Sequence, residues 1–264
     1  MGISDKEEDA PLLYRTLHHL LPPFLTALWR PKAEGLEHVP EQGAAILASN
    51  HLSFLDSVFM PAVLDRPVFF LGKSDYFDSW TRHFFERVGV MPIDRSGGSK
   101  AEASLLKGQE ILESGRLLGI YPEGTRSPDG RLHRGKTGPV RLALRTGAPI
   151  IPVAMIGTFE IQPPGQSLPR LRPVVVRFGE PVDLSHYGPD ASEDRFALRA
   201  ATDELMYELM LLSGQEYVDE YAERVKSGEV SFDDDDLDEL GQLERDEGID
   251  PLGGDDAAPR RKAG

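Results

Sequence analysis

His51 and Asp56 are the two residues of this chain most readily joined into acid–base chemistry. They lie in the stretch S-N-H-L-S-F-L-D-S, residues 49–57. Five positions apart on one continuous helix, their side chains would point about 140° apart and could not cooperate. A turn between them removes that obstacle, and the sequence supplies one. Ser53 is a good helix N-cap, and Asp56 three residues later completes an S-x-x-D capping pattern. His51 then sits on a strand-to-helix turn, with Asp56 folded back toward it from the first helical turn. Two readings stay open on these residues alone. In one, Asp56 serves the helix start and His51 is an exposed loop residue. In the other, Asp56 stands as a carboxylate at the positive helix end and fixes the imidazole tautomer, and His51 is a general base toward a hydroxyl. Such a base needs no Ser or Cys nucleophile when the substrate brings its own hydroxyl.

Two further stretches carry side chains suited to an anion. In G-V-M-P-I-D-R-S-G-G-S-K, residues 89–100, a strand ends at Asp94-Arg95 and runs through a Gly/Ser loop into a helix. Backbone amides there suit an anion, with Arg95 as a forked phosphate donor; a plain surface arginine is the alternative. The phosphate-loop pattern G-x4-G-K-[ST] is absent. In Y-P-E-G-T-R-S-P-D-G-R-L-H-R-G-K-T-G, residues 121–138, Glu123, Gly124, Thr125 and Arg126 follow a strand end. S-P-D-G is a β-turn signal, so Ser127–Gly130 read as structural. Arg126, Arg131, Arg134 and Lys136 give this loop a basic excess that an anionic substrate would explain. Lys73, ending V-F-F-L-G-K, repeats the basic residue at a strand's carboxyl end.

The elements that must position these residues alternate. A-A-I-L-A-S reads as a strand and Phe54–Leu64 as a helix; strands at 68–73 and 90–94 follow, with a helix at Ser79–Val88 between them. An amphipathic helix over Lys100–Ser114, a strand at 117–122 and a helix near Pro139–Thr146 come next. Strands at 150–157 and 173–179 and a long helical region from about Ser192 to Val225 complete the pattern. Strands alternating with helices predict an α/β fold: a mixed, largely parallel sheet flanked by helices, with ligands at the carboxyl ends of its strands.

Length and composition bound the rest. The 264 residues suit one domain with a sizeable core, and the absence of cysteine excludes disulfides and Cys-ligated metal. No metal is expected at the site. Residues 228–264 hold thirteen acidic against four basic residues, a balance of −9, so 1–227 carry only −6 of the total −15. The tail is acidic, Gly-rich and nearly free of aromatics, which predicts disorder. The net charge argues against nucleic acid as a partner. Residues 11–31, P-L-L-Y-R-T-L-H-H-L-L-P-P-F-L-T-A-L-W-R-P, are too interrupted to span a bilayer. They read as short amphipathic helices meeting at Pro22-Pro23, for a membrane interface or for packing on their own domain. No secretory signal is evident at the start. The expected organisation is an N-terminal element over 1–35, a catalytic domain over 36–227 and the tail over 228–264.

N-H-x4-D at 50–56, G-V-M-P-I-D-R at 89–95, Y-P-E-G-T-R-S at 121–127 and I-P-V-A at 151–154 occur in that order. Together they resemble the four blocks of the glycerolipid acyltransferases, the 1-acylglycerol-3-phosphate (lysophosphatidate) acyltransferase family. The resemblance covers about residues 36–179. It implies a glycerol-3-phosphate acyltransferase-like fold and transfer of a fatty acyl group from acyl-CoA or acyl-carrier protein to the free hydroxyl of a lysophospholipid. Lysophosphatidate is the default acceptor, giving phosphatidic acid for phospholipid synthesis. Another lysolipid, a glycolipid, or water in a thioester or phosphate hydrolase is the alternative. By block, His51 is the base and Asp56 its orienter. Arg95, Glu123, Gly124 and Arg126 contact the acceptor's phosphate and glycerol, and Pro152 is structural. Thr125, Lys73 and Lys136 are expected among the substrate contacts from their own places at the strand ends and in the basic loop. No cofactor beyond the thioester co-substrate is implied. The N-terminal element is implied to rest on the cytoplasmic face of the cell membrane, peripherally or monotopically. Tyr121 stands where many of that family carry Phe, and L-H-R-G-K-T-G replaces an aromatic-Lys-Lys-Gly pattern.

Overall fold

The computed structural model describes residues 28–73, 90–93, 99–166 and 168–230. The amphipathic segment up to residue 27, the helix expected over Ser79–Val88, Arg95 and the tail from 231 lie outside the described residues.

Seven strands form the main sheet: β1 (Lys32–Glu34), β2 (Ala45–Ser49), β3 (Val68–Lys73), β4 (Val90–Ile93), β5 (Leu117–Ile120), β7 (Ile150–Ile156) and β8 (Val175–Phe178). Their order is β1-β8-β7-β2-β5-β3-β4. The five from β7 to β4 are mutually parallel, whereas β8 runs antiparallel to β7 and carries β1 with it. The expected mixed, largely parallel sheet is therefore present. β6 (Leu132–His133) and β9 (Tyr217–Val218) pair separately.

Every residue of β2 is buried, because both faces of the sheet are covered. Ala45 and Leu47 point into one apolar layer with Phe59 and Met60, which come from helix α1 (Asp56–Ala62). Ile46 and Ala48 point into the other, with residues of α2 (Ser99–Glu113), α3 (Gly138–Thr146) and α5 (Arg195–Ser213). Short α4 (Thr158–Ile161) follows β7, and α6 (Ala222–Ser227) follows β9. Among the described residues no helix is long and apolar enough to cross a membrane.

Two of the boundaries that differ from the sequence pattern have a local cause. The helix expected from Phe54 begins at Asp56, because Ser53–Leu55 close a turn instead: Asp56 N–H donates to Ser53 C=O at 3.3 Å, and Leu55 N–H to Ser53 Oγ at 3.2 Å. The helical region expected from 192 to 225 stops at Gly214, whose left-handed φ of 70° ends α5 and lets the chain turn back into β9. Apolar spacing does not register that single turn residue.

Because the five central strands are parallel, the carboxyl ends of β2, β3, β4, β5 and β7 share one edge of the sheet. Gly119 in β5 prepares that edge. A Cβ there would stand 2.4 Å from the ring of Phe70, so only glycine lets Phe70 lie across the strand. Gly119→Ala forces that buried ring aside, and a stability loss of about 1–3 kcal/mol is expected from overpacking. Chemical denaturation measures it; an unchanged midpoint would mean that the Phe70 ring yields freely.

Candidate active site

β2 ends at Ser49, and the chain leaves the sheet edge through Asn50 and His51. Asn50 is buried and continues the ladder with its side chain. Its Oδ1 accepts the Met155 N–H at 2.7 Å, and its Nδ2 donates to Met155 C=O at 3.1 Å and to Gln215 Oε1 at 2.5 Å. Gln215 in turn donates to Gly130 C=O at 2.6 Å. Asn50 thus fixes where β2 stops, and with it where His51 starts.

His51 is then held at three levels. Its Nδ1 lies 3.0 Å from Asp56 Oδ2. The same oxygen accepts the N–H of Leu52 at 2.7 Å and of Ser53 at 2.8 Å. Asp56 is fully buried, whereas the His51 side chain keeps 16% of its surface open. The Ser53 N–H bond to Asp56 is one half of the expected capping box. The other half is replaced by the Ser53 Oγ turn to Leu55. Asp56 accepts the helix-start amides and the imidazole together, so cap and chemistry share one carboxylate. A carboxylate there demands a proton on Nδ1, which leaves the Nε2 lone pair as the basic position. Nε2 makes no hydrogen bond among the described residues.

The backbone of His51 is held by the loop after β5. Glu123 Oε1 accepts the His51 N–H at 2.9 Å, and Ser127 N–H donates to the His51 C=O at 2.7 Å. Glu123 Oε2 accepts the His133 N–H at 3.1 Å. Burial pushes the Glu123 carboxyl up to about 8, against the opposing pull of those two backbone donors. Both oxygens face backbone amides, so Glu123 ties its own loop to the His51 turn and to β6. His133 is itself buried, its Nε2 2.9 Å from Asp129 Oδ1. Burial raises the Asp129 carboxyl, but hydrogen bonds from His133 and Arg131 outweigh it and hold the group well below its ordinary range. Ser127 Oγ accepts the Gly130 N–H at 2.9 Å, so the 127–130 turn is structural as its sequence suggests.

The imidazole ring stacks on Tyr121, centroids 3.8 Å apart and planes 10° from parallel. Tyr121 in turn lies against Phe70, whose ring Gly119 admits, with centroids 6.0 Å apart. The Tyr121 hydroxyl is 2.7 Å from Ser57 Oγ in the first turn of α1. A phenylalanine would fill the same space but leave Ser57 without this partner. Asn50, Ser57, Tyr121, His133 and Gln215 therefore belong to the site, although sequence spacing assigns them no role.

The basic residues divide. Arg126 directly precedes the residue bonded to the His51 carbonyl, is half-buried, and has no acidic partner among the described residues. Lys136 instead pairs with Glu223 of α6 at 2.9 Å, and its side chain lies over Gly124, where a Cβ would meet it at 2.9 Å. Gly124 has a φ of 76°, the left-handed region that suits glycine. Arg134 faces Asp219 at 3.4 Å and lies over the Tyr221 ring. Arg134 and Lys136 thus both have acidic partners. Thr125 is half-buried beside Arg126. Lys73 ends β3 in register with Ile93 of β4, which puts its backbone at the same sheet edge. Among the described residues no group of His, Asp and Glu is arranged to hold a metal ion.

The arrangement is an imidazole held by a buried carboxylate and fixed through its own backbone, with a guanidinium one residue from that anchor that has no acidic partner among the described residues. Residues 30–156 match the family model described as Acyltransferase. Over 165 residues the chain is 32% identical to the chloroplastic 1-acyl-sn-glycerol-3-phosphate acyltransferase LPAT1 of Arabidopsis thaliana, covering 57% of this chain and 44% of that one. Over 188 residues it is 24% identical to the 1-acyl-sn-glycerol-3-phosphate acyltransferase of Bacillus subtilis, covering 70% and 90% respectively. The chain spans about half the length of the first curated relatives it matches. In fold it resembles the crystal structure of the 1-acyl-sn-glycerophosphate (LPA) acyltransferase PlsC from Thermotoga maritima. The TM-score is 0.60 and the identity 21%, over 88% of this chain and 86% of that one. Residues 30–156, just under half of the chain, are thus similar to the acyltransferase family.

Proposed function

We propose that the chain is an O-acyltransferase that moves a fatty acyl group from a thioester donor to the free hydroxyl of 1-acyl-glycerol-3-phosphate, giving phosphatidic acid. The carrying observation is the contact of His51 Nδ1 with Asp56 Oδ2 at 3.0 Å, which leaves Nε2 without a hydrogen bond among the described residues. The names of the matched relatives support the acceptor. The donor is acyl-CoA or acyl-carrier protein, a co-substrate rather than a resident cofactor. Enzyme and acceptor meet at the cytoplasmic face of the membrane.

In the proposed step Nε2 removes the acceptor's hydroxyl proton as that oxygen attacks the thioester carbonyl. The new C–O bond forms, the oxyanion collapses, and the C–S bond breaks. The departing thiolate recovers the proton from the imidazolium. A thiolate leaves readily, so no acyl-enzyme is required. Asp56 stabilises the imidazolium in the interval, and the Tyr121 face keeps the ring in plane. Arg126 receives the acceptor's phosphate, with Thr125 and Lys73 from the same sheet edge, and the second sequence block adds Arg95 to them. Lys136 joins them only by exchanging Glu223 for the substrate anion.

Purified chain given labelled acyl-CoA or acyl-carrier protein and a panel of lysolipids tests this reading. Diacyl product is expected with lysophosphatidate. Release of free fatty acid without acceptor would instead mark a hydrolase. His51→Ala is expected to lower kcat by about 10²–10⁴-fold with acceptor binding largely kept; undiminished product in that variant removes His51 from the mechanism.

Glu123 makes a separate prediction through its raised carboxyl. Its ordinary value is 4.5 and its folded value about 8, so the folded chain holds an extra proton between them. Stability from this group is then present below about 4.5 and is lost as pH rises toward about 8. Glu123→Gln should flatten the dependence of the denaturation midpoint in that window. A wild-type slope left intact by the substitution would assign the effect to another group.

A further inference from the structure

Residues 162–173, between α4 and β8, read Q-P-P-G-Q-S-L-P-R-L-R-P: two arginines, two leucines and no acidic residue, in a chain of net charge −15. Leu168 is 79% and Leu171 66% exposed, and Arg170 and Arg172 are exposed beside them. Among the described residues neither guanidinium has an acidic partner. The backbone is nevertheless pinned. Arg170 N–H donates to Ile161 C=O at 2.8 Å, and Trp29 Nε1 donates to Arg170 C=O at 3.0 Å. A pinned loop that presents leucines to water is costly unless something apolar meets them.

The topology says where the loop lies. β8 runs antiparallel to β7, with Ile156 opposite Val175, so the whole connection sits at the sheet edge that carries His51. Ser53 Oγ of the catalytic turn donates to Gln162 Oε1 at 3.4 Å. β1 starts at that edge too, Lys32 opposite Val175, which brings exposed Leu28 and Arg30 alongside. Phe54, 48% exposed, extends the apolar area from the catalytic turn.

The geometry points to this loop as a membrane-docking element for an anionic bilayer. Leu168 and Leu171 enter the boundary between headgroups and acyl chains, and Arg170 and Arg172 pair with lipid phosphates. The acidic remainder of the chain is repelled by such a surface, so this edge is the one that faces it. His51 is thereby seated over the plane in which an acyl acceptor lies. That last clause rests on the acyltransferase reading; the docking itself does not.

The chain has no cysteine, so Leu168→Cys in the full-length protein takes a single environment-sensitive fluorophore, with Leu106→Cys on α2 as control. With phosphatidylglycerol–phosphatidylcholine vesicles, a blue shift is expected at 168 and none at 106. Replacing Arg170 and Arg172 by Ala should weaken partitioning roughly 5-fold each, about 25-fold together, at low salt. An unshifted probe at 168 on protein that sediments with vesicles overturns the proposal, as does failure to sediment at all. A probe already shifted without vesicles also overturns it. If that shift grows with protein concentration, a second copy covers the loop; if it does not, residues 1–27 cover it. Leu168→Ser with Leu171→Ser should keep turnover of a short-chain monomeric lysophosphatidate and lose it on vesicle-embedded acceptor. No transfer to either acceptor by the wild type refutes the enzymatic reading, while the fluorophore still decides the docking.

Discussion

One oxygen atom, Oδ2 of Asp56, collects the His51 imidazole and the backbone amides of Leu52 and Ser53. Three donors converging on a buried carboxylate oxygen compensate the burial of its charge, which an isolated carboxylate could not tolerate. The same convergence winds the chain from β2 into α1. Positioning the imidazole and starting the helix are therefore one event, and neither can be altered without the other. Everything else at the sheet edge works around that turn. Asn50 fixes its origin, Glu123 and Ser127 hold its backbone, and Tyr121 supports the imidazole face.

The site is unusual in where its charges go. Much of the basic character of the loop after β5 is absorbed within the protein: Arg131 by Asp129, Arg134 by Asp219, Lys136 by Glu223. Exposed pairs of this kind contribute little to stability, so their effect is one of selection. They leave Arg126 as the guanidinium of that loop without an acidic partner among the described residues. A loop of many cations would hold any anion; one whose cations are mostly paired discriminates by position.

The sequence made the frame legible because its signals are local. The fully apolar run of β2, the turn residues around Ser53 and the alternation of strands and helices follow from propensity and burial. His51 and Asp56 were legible for the same reason, since a five-residue spacing across a turn is itself local. Tyr121, Ser57 and Gln215 were not, because their partners lie 64 and 165 positions away along the chain, and no periodicity encodes such pairs. The contacts of Glu123 with the backbone are likewise not legible in the sequence. A glutamate in a basic loop suggests substrate polarity, and only the folded chain shows that its two oxygens close on amides of His51 and His133. The end of α5 escaped notice because a single left-handed glycine decides it.

The bonds that surround His51 close very long loops. Asn50 reaches Met155 and Gln215 across 105 and 165 residues, and His51 reaches Glu123 across 72. Contacts so distant in sequence bear the largest closure entropies and form late in folding. Gln215 belongs to the stretch that follows α5, so a nascent chain lacks it until most of the domain has been synthesised. The imidazole is thus oriented only once the tertiary structure is complete. A partly folded or truncated chain therefore carries His51 without the geometry that the finished fold gives it.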